Sequence, residues 1–444
     1  MGLQNLFLDG GSGIDMNKEF RGALEQMENT DSNIFITGRA GTGKSTLLDY
    51  FKSVTKKNVA ILAPTGVAAL NVQGQTIHSF FHFKPDITPE TVRRAYGSVM
   101  YRALDAIVID EISMVRADLL DCVDRFMRLN GRDSELPFGG VQMIFIGDLY
   151  QLPPVVQNDE ESIFRTHYKS PYFFDAFSYA DLSIRFIELK KHYRQKEQEF
   201  IDLLNAIRSN AISDVQIRQL NGRVDPSFEP PDDMHYVTLA PTNRLADHIN
   251  AERLSRIGGP PRVFKAHISN DFDKRVHPAP DSLELKAGAQ VMMLNNDRHR
   301  RWVNGSMGEV IAMEGPPGWH GTITVRLLDG FDVKVEPHTW DLFRFSYDVP
   351  SRKLVSRNVG NFSQYPMMLA WAVTIHKSQG KTFDRVVIDL GSGTFAHGQL
   401  YVALSRCTTM AGVVLKRPVE RRHIMMDHKV VEFLNGAEGL AAKS

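Results

Sequence analysis

The sequence predicts an α/β protein built from two parallel-sheet lobes. A glycine-rich loop stands between an apolar run and an amphipathic helix, three further apolar runs end in polar residues, and a stretch in the second half repeats the strand-to-helix pattern of the first. Strands alternating with helices form a parallel sheet, whose ligands gather beyond the carboxyl ends of the strands.

Composition bounds the remaining possibilities. At 444 residues the chain is long for one core, and 43% hydrophobic with 23% charged residues describes a water-soluble globular protein. No apolar run reaches the roughly 18 residues that span a bilayer. The opening "MGLQNLFLDGGSGID" lacks the basic segment of a secretory signal, and its "GGSG" reads as a linker. Lys plus Arg equal Asp plus Glu at 52 each, so any nucleic-acid binding must come from a local groove. Cys122 and Cys407 are too few for a disulfide framework and fit a reducing compartment, with the cytoplasm expected.

In chain order, "NIFITGRAGTGKSTLLDYF" comes first. Its apolar Ile34–Ile36 predicts a strand, and Leu47, Leu48 and Phe51 recur at helical spacing. Between them Gly41, Thr42, Gly43, Lys44, Ser45 and Thr46 form a phosphate cradle for ATP: backbone N–H groups face the phosphates, Lys44 reaches the β and γ oxygens, and Ser45 holds Mg²⁺. "NVAILAPTGVAAL" ends in Thr65 and Gly66. "DAIVIDEISMV" ends in Asp110, which completes the Mg²⁺ shell, and Glu111, placed to orient or deprotonate the attacking water. "VQMIFIGDLYQLPP" supplies Gln151, long enough to sense a γ-phosphate.

"TIHKSQGKTFD" ends like a second phosphate loop at Gly380, Lys381 and Thr382. Ile375 stands where the first glycine of such a loop belongs, and a β-branched residue suits that turn poorly. Another explanation is needed for this concentration of polar side chains.

From "APTGVAA", "TIHSFF", "IDEISMV", "PFGGVQMIFIGDLYQLPPV", "HYRQ", "APTN", "TIHKSQGKTFD" and "YVALSRC", in that order from about Ile34 to about Val413, the chain resembles the superfamily one helicases, and among them the Pif-type 5′→3′ DNA helicases related to RecD. The stretch "SMVRADLLDCVDRFMR" resembles the family's identifying insert, though Leu119, Val123 and Phe126 or Met127 also fit a packed amphipathic helix. The resemblance implies two RecA-like lobes: residues 14–175, interrupted at 81–103 by a strand-separating wedge, and residues 176–294 with 367–434. The runs "GEVIAM", "GTITVRLL" and "DVKVE" between glycine turns predict a small β-barrel inserted at 295–366. "RHRRW", Arg298–Trp302, is a basic and aromatic cluster within it.

The resemblance further implies that ATP lies between the lobes, with Arg194 and Arg406 reaching it from the second. It places Thr374, His376 and Lys377 on the DNA backbone, and Gln379 and Gly380 nearer the nucleotide. Thr65, Gly66, His78, Ser79 and Phe80 would form the first-lobe DNA contacts, with Phe80 stacking on a base, and Thr242, Asn243 and Arg244 would join the second-lobe set. Where the family carries a glutamine beside the adenine, this chain has Phe20, leaving Met16, Asn17 or Phe20 for that contact. The implied activity is ATP-driven 5′→3′ movement on single-stranded DNA with duplex unwinding, sequence-independent and by a monomer, in DNA replication, repair or recombination. A DNA-stimulated ATPase subunit without unwinding, and a P-loop phosphotransferase, are the alternatives.

Overall fold

The apolar run before the glycine loop forms β1 (Asn33–Gly38), buried at every residue after Asn33. The structure, a computed structural model, describes residues 16–441 apart from 85, 96–98, 157–163, 165, 192, 194, 196, 232–233, 271–276, 316–320, 349, 352 and 390–396. Beside β1 lie β2 (Val59–Ala63), β3 (Gln75–Thr76), β4 (Ala106–Ile109), β5 (Gln142–Gly147) and β6 (Ile184–Leu189), in the parallel order β3-β2-β4-β5-β1-β6. Helices cover both faces, which is why these strands read as continuous apolar runs. On one face α1 (Lys18–Asn29) and α2 (Lys44–Val54) bury Phe20, Leu24, Leu47 and Phe51. On the other, the helix Ala117–Asn130 buries Leu119, Val123, Phe126 and Met127, the packing that their spacing predicts.

The second lobe opens with β7 (Val237–Ala240). An antiparallel region follows: β8 (Arg262–Lys265), β9 (His267–Asn270), β10 (Ser282–Leu285), β11 (Gln290–Met293), β12 (Met307–Met313), β13 (Ile323–Leu327), β14 (Asp332–Val335), β15 (His338–Asp348), β16 (Lys353–Gln364) and β17 (Met367–Leu369). Then β18 (Ala372–Thr374), β19 (Val386–Ile388) and β20 (Val413–Leu415) complete a parallel sheet ordered β18-β7-β19-β20. The two parallel sheets share an edge design. Ala63 pairs with Thr76 in the first, and Ala240 pairs with Thr374 in the second. The short helices α3 (Gly66–Asn71) and α4 (Ile77–Phe81) start just beyond the first of these edges.

Strand pairing moves two expected boundaries and helix packing a third. Residues 184–189 pair along β1, with Phe186 edge-on to Phe35 at 5.3 Å, so the first sheet extends past the expected division at 175/176. The helix His428–Ala441 returns to the first lobe, where Phe433 stacks on Phe174 at 4.3 Å, because that side of the sheet still exposes aromatic surface. The inserted region exceeds 295–366, since β11 and β17 belong to its five-stranded sheet. That sheet runs β14-β13-β12-β11-β17, and among the described residues its outer strands do not pair with each other, so these strands form an open sheet where a closed barrel is expected. A long hairpin, β15 with β16, forms a separate sheet with β9.

That hairpin leans on the first lobe. The Gln75 side-chain amide donates to the Phe343 carbonyl at 2.6 Å, and Phe345 meets Phe80 at 5.9 Å. Phe80 is thereby 2% exposed, packed edge-on against Phe81 and Tyr101. This corrects its expected role: a ring closed into the core offers no face to a base. Segment 81–103 is anchored by buried Phe81, Val92 and Tyr101 and exposes Asp86, Thr88 and Glu90 between them. Phe80→Ala should cost about 3–5 kcal/mol in denaturant unfolding. Phe80→Leu should fold and bind single-stranded DNA within about twofold of wild type; a large affinity loss in a folded Phe80→Leu would restore the stacking role.

Candidate functional site

The carboxyl ends of β1, β4 and β5 converge on the loop between β1 and α2. Gly41 and Gly43 adopt φ of 80° and 91°, which glycine enters without a Cβ penalty. Gly43 then starts α2, aiming the helix N-terminus into the cleft. Thr42 is 3% exposed and donates to the Arg39 carbonyl at 2.9 Å, fixing the turn. Lys44 donates to the carbonyls of Gly38 at 2.6 Å and Arg39 at 3.1 Å. Ser45 and Thr46 are exposed on the first turn of α2.

Opposite Lys44 lie three carboxylates. Burial lowers the Lys44 pKa, while Asp148, Glu111 and Asp110 act to raise it. Burial pushes the Asp110 carboxyl up, against a hydrogen bond from the Glu111 backbone and the charge of Lys44. Burial also raises Glu111, reinforced by Asp110 and countered by Lys44 and Arg406. Glu111 holds φ 50° and ψ 43°, a left-handed conformation that costs a non-glycine residue about 1–3 kcal/mol and concentrates at functional sites. Ser45 and Asp110 are a hydroxyl and a carboxylate, the hard oxygen donors that suit Mg²⁺ when phosphates and water supply the other ligands.

The second lobe closes this cleft. Gln379 donates from its side-chain amide to Glu111 Oε2 at 3.1 Å and to Gln151 Oε1 at 3.2 Å. Gln151, 7% exposed, donates in turn to Asp148 Oδ2 at 3.3 Å. Arg406 is 1% exposed at the end of the helix Gln399–Ser405 and donates to the Val402 carbonyl at 3.0 Å and Ser405 Oγ at 2.8 Å. Arg194 lies outside the described residues. Gly380 makes an exposed left-handed turn with φ 80°, and no helix follows Lys381, which instead donates to Asn304 Oδ1 at 2.6 Å. "TIHKSQGKT" is therefore no second cradle.

Beyond the sheet edges, Thr65 and Thr242 cap α3 and the helix Asn243–Arg256, accepting from Ala68 N–H at 3.2 Å and Leu245 N–H at 3.3 Å. Thr65, Ser79, Thr242, Asn243, Arg244, His376 and Lys377 are exposed, and Gly66 and His78 half-buried. Thr374 departs from its expected role: it is 5% exposed, and its hydroxyl accepts from the Lys377 N–H at 3.2 Å. It shapes the turn that presents His376 and Lys377, as Thr76 does for α4.

Three side chains at this site, Arg208, Tyr401 and Tyr193, have no sequence expectation behind them, and a fourth, Asp148, is expected only as a polar strand tip with no role of its own. Asp148 is fully buried, and Arg208 and Tyr401 reach it from the second lobe at 3.3 and 3.5 Å. Tyr401 also accepts from the Ala40 N–H at 3.2 Å, and burial aided by Asp148 pushes its phenol up to about 12. Tyr193 donates its backbone N–H to the Gly41 carbonyl at 2.9 Å, and its hydroxyl accepts from the Asn17 amide at 3.2 Å. Its place beside Arg194 in "HYRQ" was the available signal. Of the residues considered for adenine, Phe20 is corrected: it is 4% exposed between α1 and α2. Met16 packs on that core, and Asn17 caps α1 through the Phe20 N–H at 2.8 Å.

Comparison with known proteins identifies the family and the fold. Residues 15–218 match the model of the PIF1-like helicase family, and residues 369–414 match a UvrD-like helicase C-terminal domain. An ATP-dependent DNA helicase Pif1 from Bdellovibrio bacteriovorus is 31% identical over 96% of this chain and 93% of its own length. The ATP-dependent DNA helicase PIF1 of Emericella nidulans is 31% identical over 92% of this chain, which spans only 61% of that longer relative. The solved Pif1 from Bacteroides is 34% identical across 96% of this chain and 98% of its own, with a TM-score of 0.87 in complex with ADP-AlF4 and 0.68 with ADP-AlF3 and single-stranded DNA.

Gly398 reports on lobe docking. With φ 74°, it lies so near the first lobe that a Cβ would come 2.5 Å from the Gln151 carbonyl and 2.6 Å from that of Tyr150, whereas a Cβ on Gly380 meets nothing within 4 Å. Gly380→Ala should cost about 1–2 kcal/mol, the left-handed penalty alone. Gly398→Ala should cost clearly more in the same denaturant titration, and equal losses would contradict the docking.

Proposed function

The chain belongs to the PIF1-like helicase family, and on that premise we propose that it hydrolyses ATP in the cleft to move 5′→3′ along single-stranded DNA and separate the duplex ahead. One observation carries the reading: a single second-lobe segment bonds Glu111 and Gln151 through Gln379 and exposes His376 and Lys377 a few residues earlier. Whatever holds the strand there is mechanically continuous with the groups around the γ-phosphate.

In this reading the loop amides and Lys44 neutralise the phosphates, Ser45 and Asp110 would hold Mg²⁺, and Glu111 receives a proton from the attacking water. Mg²⁺, when bound, would supply charge neutralisation for the phosphates. Gln151 senses the γ-phosphate, and Arg406, with Arg194, stabilises charge on the transferring group. Asn17 and Tyr193, joined to each other beside the cradle, would contact the nucleoside. Thr65, Gly66, His78 and Ser79 hold backbone on the first lobe, and Thr242, Asn243, His376 and Lys377 on the second, without reading bases. The matched edge registers support two equivalent grips that alternate as the lobes open and close. A base-pair step costs on average about 1.4 kcal/mol in stacking, within reach of one hydrolysis per step. The exposed middle of segment 81–103 would meet the fork. Buried, unpaired Cys122 and Cys407 support a reducing, cytoplasmic setting, and no described helix is long and apolar enough to cross a membrane.

Lys44→Ala should weaken nucleotide binding, whereas Glu111→Gln should bind ATP and lose turnover; near-normal ATPase in Glu111→Gln would remove Glu111 from its role. ATPase of the wild type should rise strongly with mixed-sequence single strands, and DNA affinity should fall with salt through counterion release. Strand displacement should require a 5′ tail. Hydrolysis indifferent to DNA would favour a phosphotransferase, and unwinding from a 3′ tail would reverse the polarity.

A further inference from the structure

Arg208 ends the helix Gln198–Arg208, whose Phe200, Leu203, Leu204 and Ile207 lie in the second-lobe core. Its side chain leaves that lobe. The guanidinium donates from Nη2 to Asp148 Oδ1 at 3.3 Å and lies 4.1 Å from the centre of the Tyr150 ring, so both partners belong to the first-lobe segment leading from β5 to Gln151. The Arg208 side chain is 12% exposed and that of Asp148 0%.

Asp148 is shared five ways, one of them the Tyr150 backbone N–H, which donates to Oδ1 at 3.2 Å. Asp148 also pairs with Arg208, accepts from Gln151 Nε2 at 3.3 Å, meets the Tyr401 hydroxyl at 3.5 Å, and lies within the electrostatic reach of Lys44. Tyr401 closes the circuit by accepting from the Ala40 N–H in the phosphate loop at 3.2 Å. A fully buried carboxylate needs a paired cation. Two cations compete for this one: Arg208 from the second lobe and Lys44 from the first.

We propose that Arg208 is a positioning residue for turnover: by taking the charge of Asp148 across the lobe boundary, it leaves Lys44 to the phosphates and Gln151 held in register with Glu111. Arg208 touches no reacting atom in this scheme. Because it arrives with the second lobe, the arrangement forms only when the lobes are docked, which ties turnover to closure through charge. This role is separate from that of Arg406, whose field falls on Glu111. The inference rests on the ATPase reading above.

The test compares DNA-stimulated ATPase of the full chain in wild type, Arg208→Met, Arg208→Lys, Asp148→Asn and the Arg208→Met, Asp148→Asn pair, with thermal melts run alongside. Arg208→Met should lose about tenfold or more in kcat while KM for ATP moves less than about threefold, since the affected interaction serves turnover more than binding. Arg208→Lys should recover a large part of kcat. The pair should be no slower than Arg208→Met alone, because the two residues act as a unit. If Arg208→Met does not fold, Arg208→Gln, which keeps an N–H donor for Asp148 without the charge, should show the same loss of kcat, and adding Asp148→Asn should relieve it, because no carboxylate is then left at that position to draw on Lys44. Wild-type kcat in a folded Arg208→Met or Arg208→Gln would overturn the inference, as would losses that simply multiply in the Arg208→Met, Asp148→Asn pair. Absence of DNA-stimulated hydrolysis in the wild type would instead count against the functional reading.

Discussion

Charge balance in the cleft is the constraint on which the arrangement depends. Asp110, Glu111 and Asp148 stand around one lysine, and burial raises the pKa of both Asp110 and Glu111 while lowering that of Lys44. The first lobe does not balance this set alone. The second lobe brings Arg208 to Asp148, the field of Arg406 to Glu111, and the amide of Gln379 to Glu111 and Gln151. Lobe closure is therefore also charge compensation, and a bound nucleotide must enter that balance.

In the proposed mechanism the two parallel sheets would carry the same closure to a strand outside the cleft. Each carries a threonine-capped turn at an edge in the same register, Thr76 beside Ala63 and Thr374 beside Ala240. In the second lobe that turn continues directly into Gln379. In the first, the edge is held by the hairpin β15–β16 through Gln75 and Phe80. The inserted region is also joined to both lobes by Asn304, which accepts from Lys381 at 2.6 Å and donates to Asn71 at 3.4 Å.

Much of the cleft was legible in the sequence because its residues are fixed by local geometry. A loop that turns onto a helix N-terminus needs Gly41 and Gly43, and carboxylates at a strand end need only four apolar residues before them. What escaped depends on residues far apart in the chain. Arg208 ends an ordinary amphipathic helix, and only the docking of two lobes brings it 60 positions back to Asp148. Phe80 looked available because nothing in "TIHSFF" announces that Phe345 covers it. The run 184–189 could have joined either sheet, and the open edge of β1 decided it. Thr374 was read as a phosphate ligand when its hydroxyl caps its own turn, a local bond that short polar side chains commonly prefer.

The central claim is that the segment Thr374–Lys381 transmits between strand and cleft through Gln379. The most direct measurement is the ratio of ATPase rates with and without saturating single-stranded DNA in Gln379→Ala, alongside DNA affinity. The account predicts that stimulation falls by about tenfold while the affinity for single strands stays within about threefold of wild type. Full stimulation in Gln379→Ala, with DNA bound normally, would contradict it.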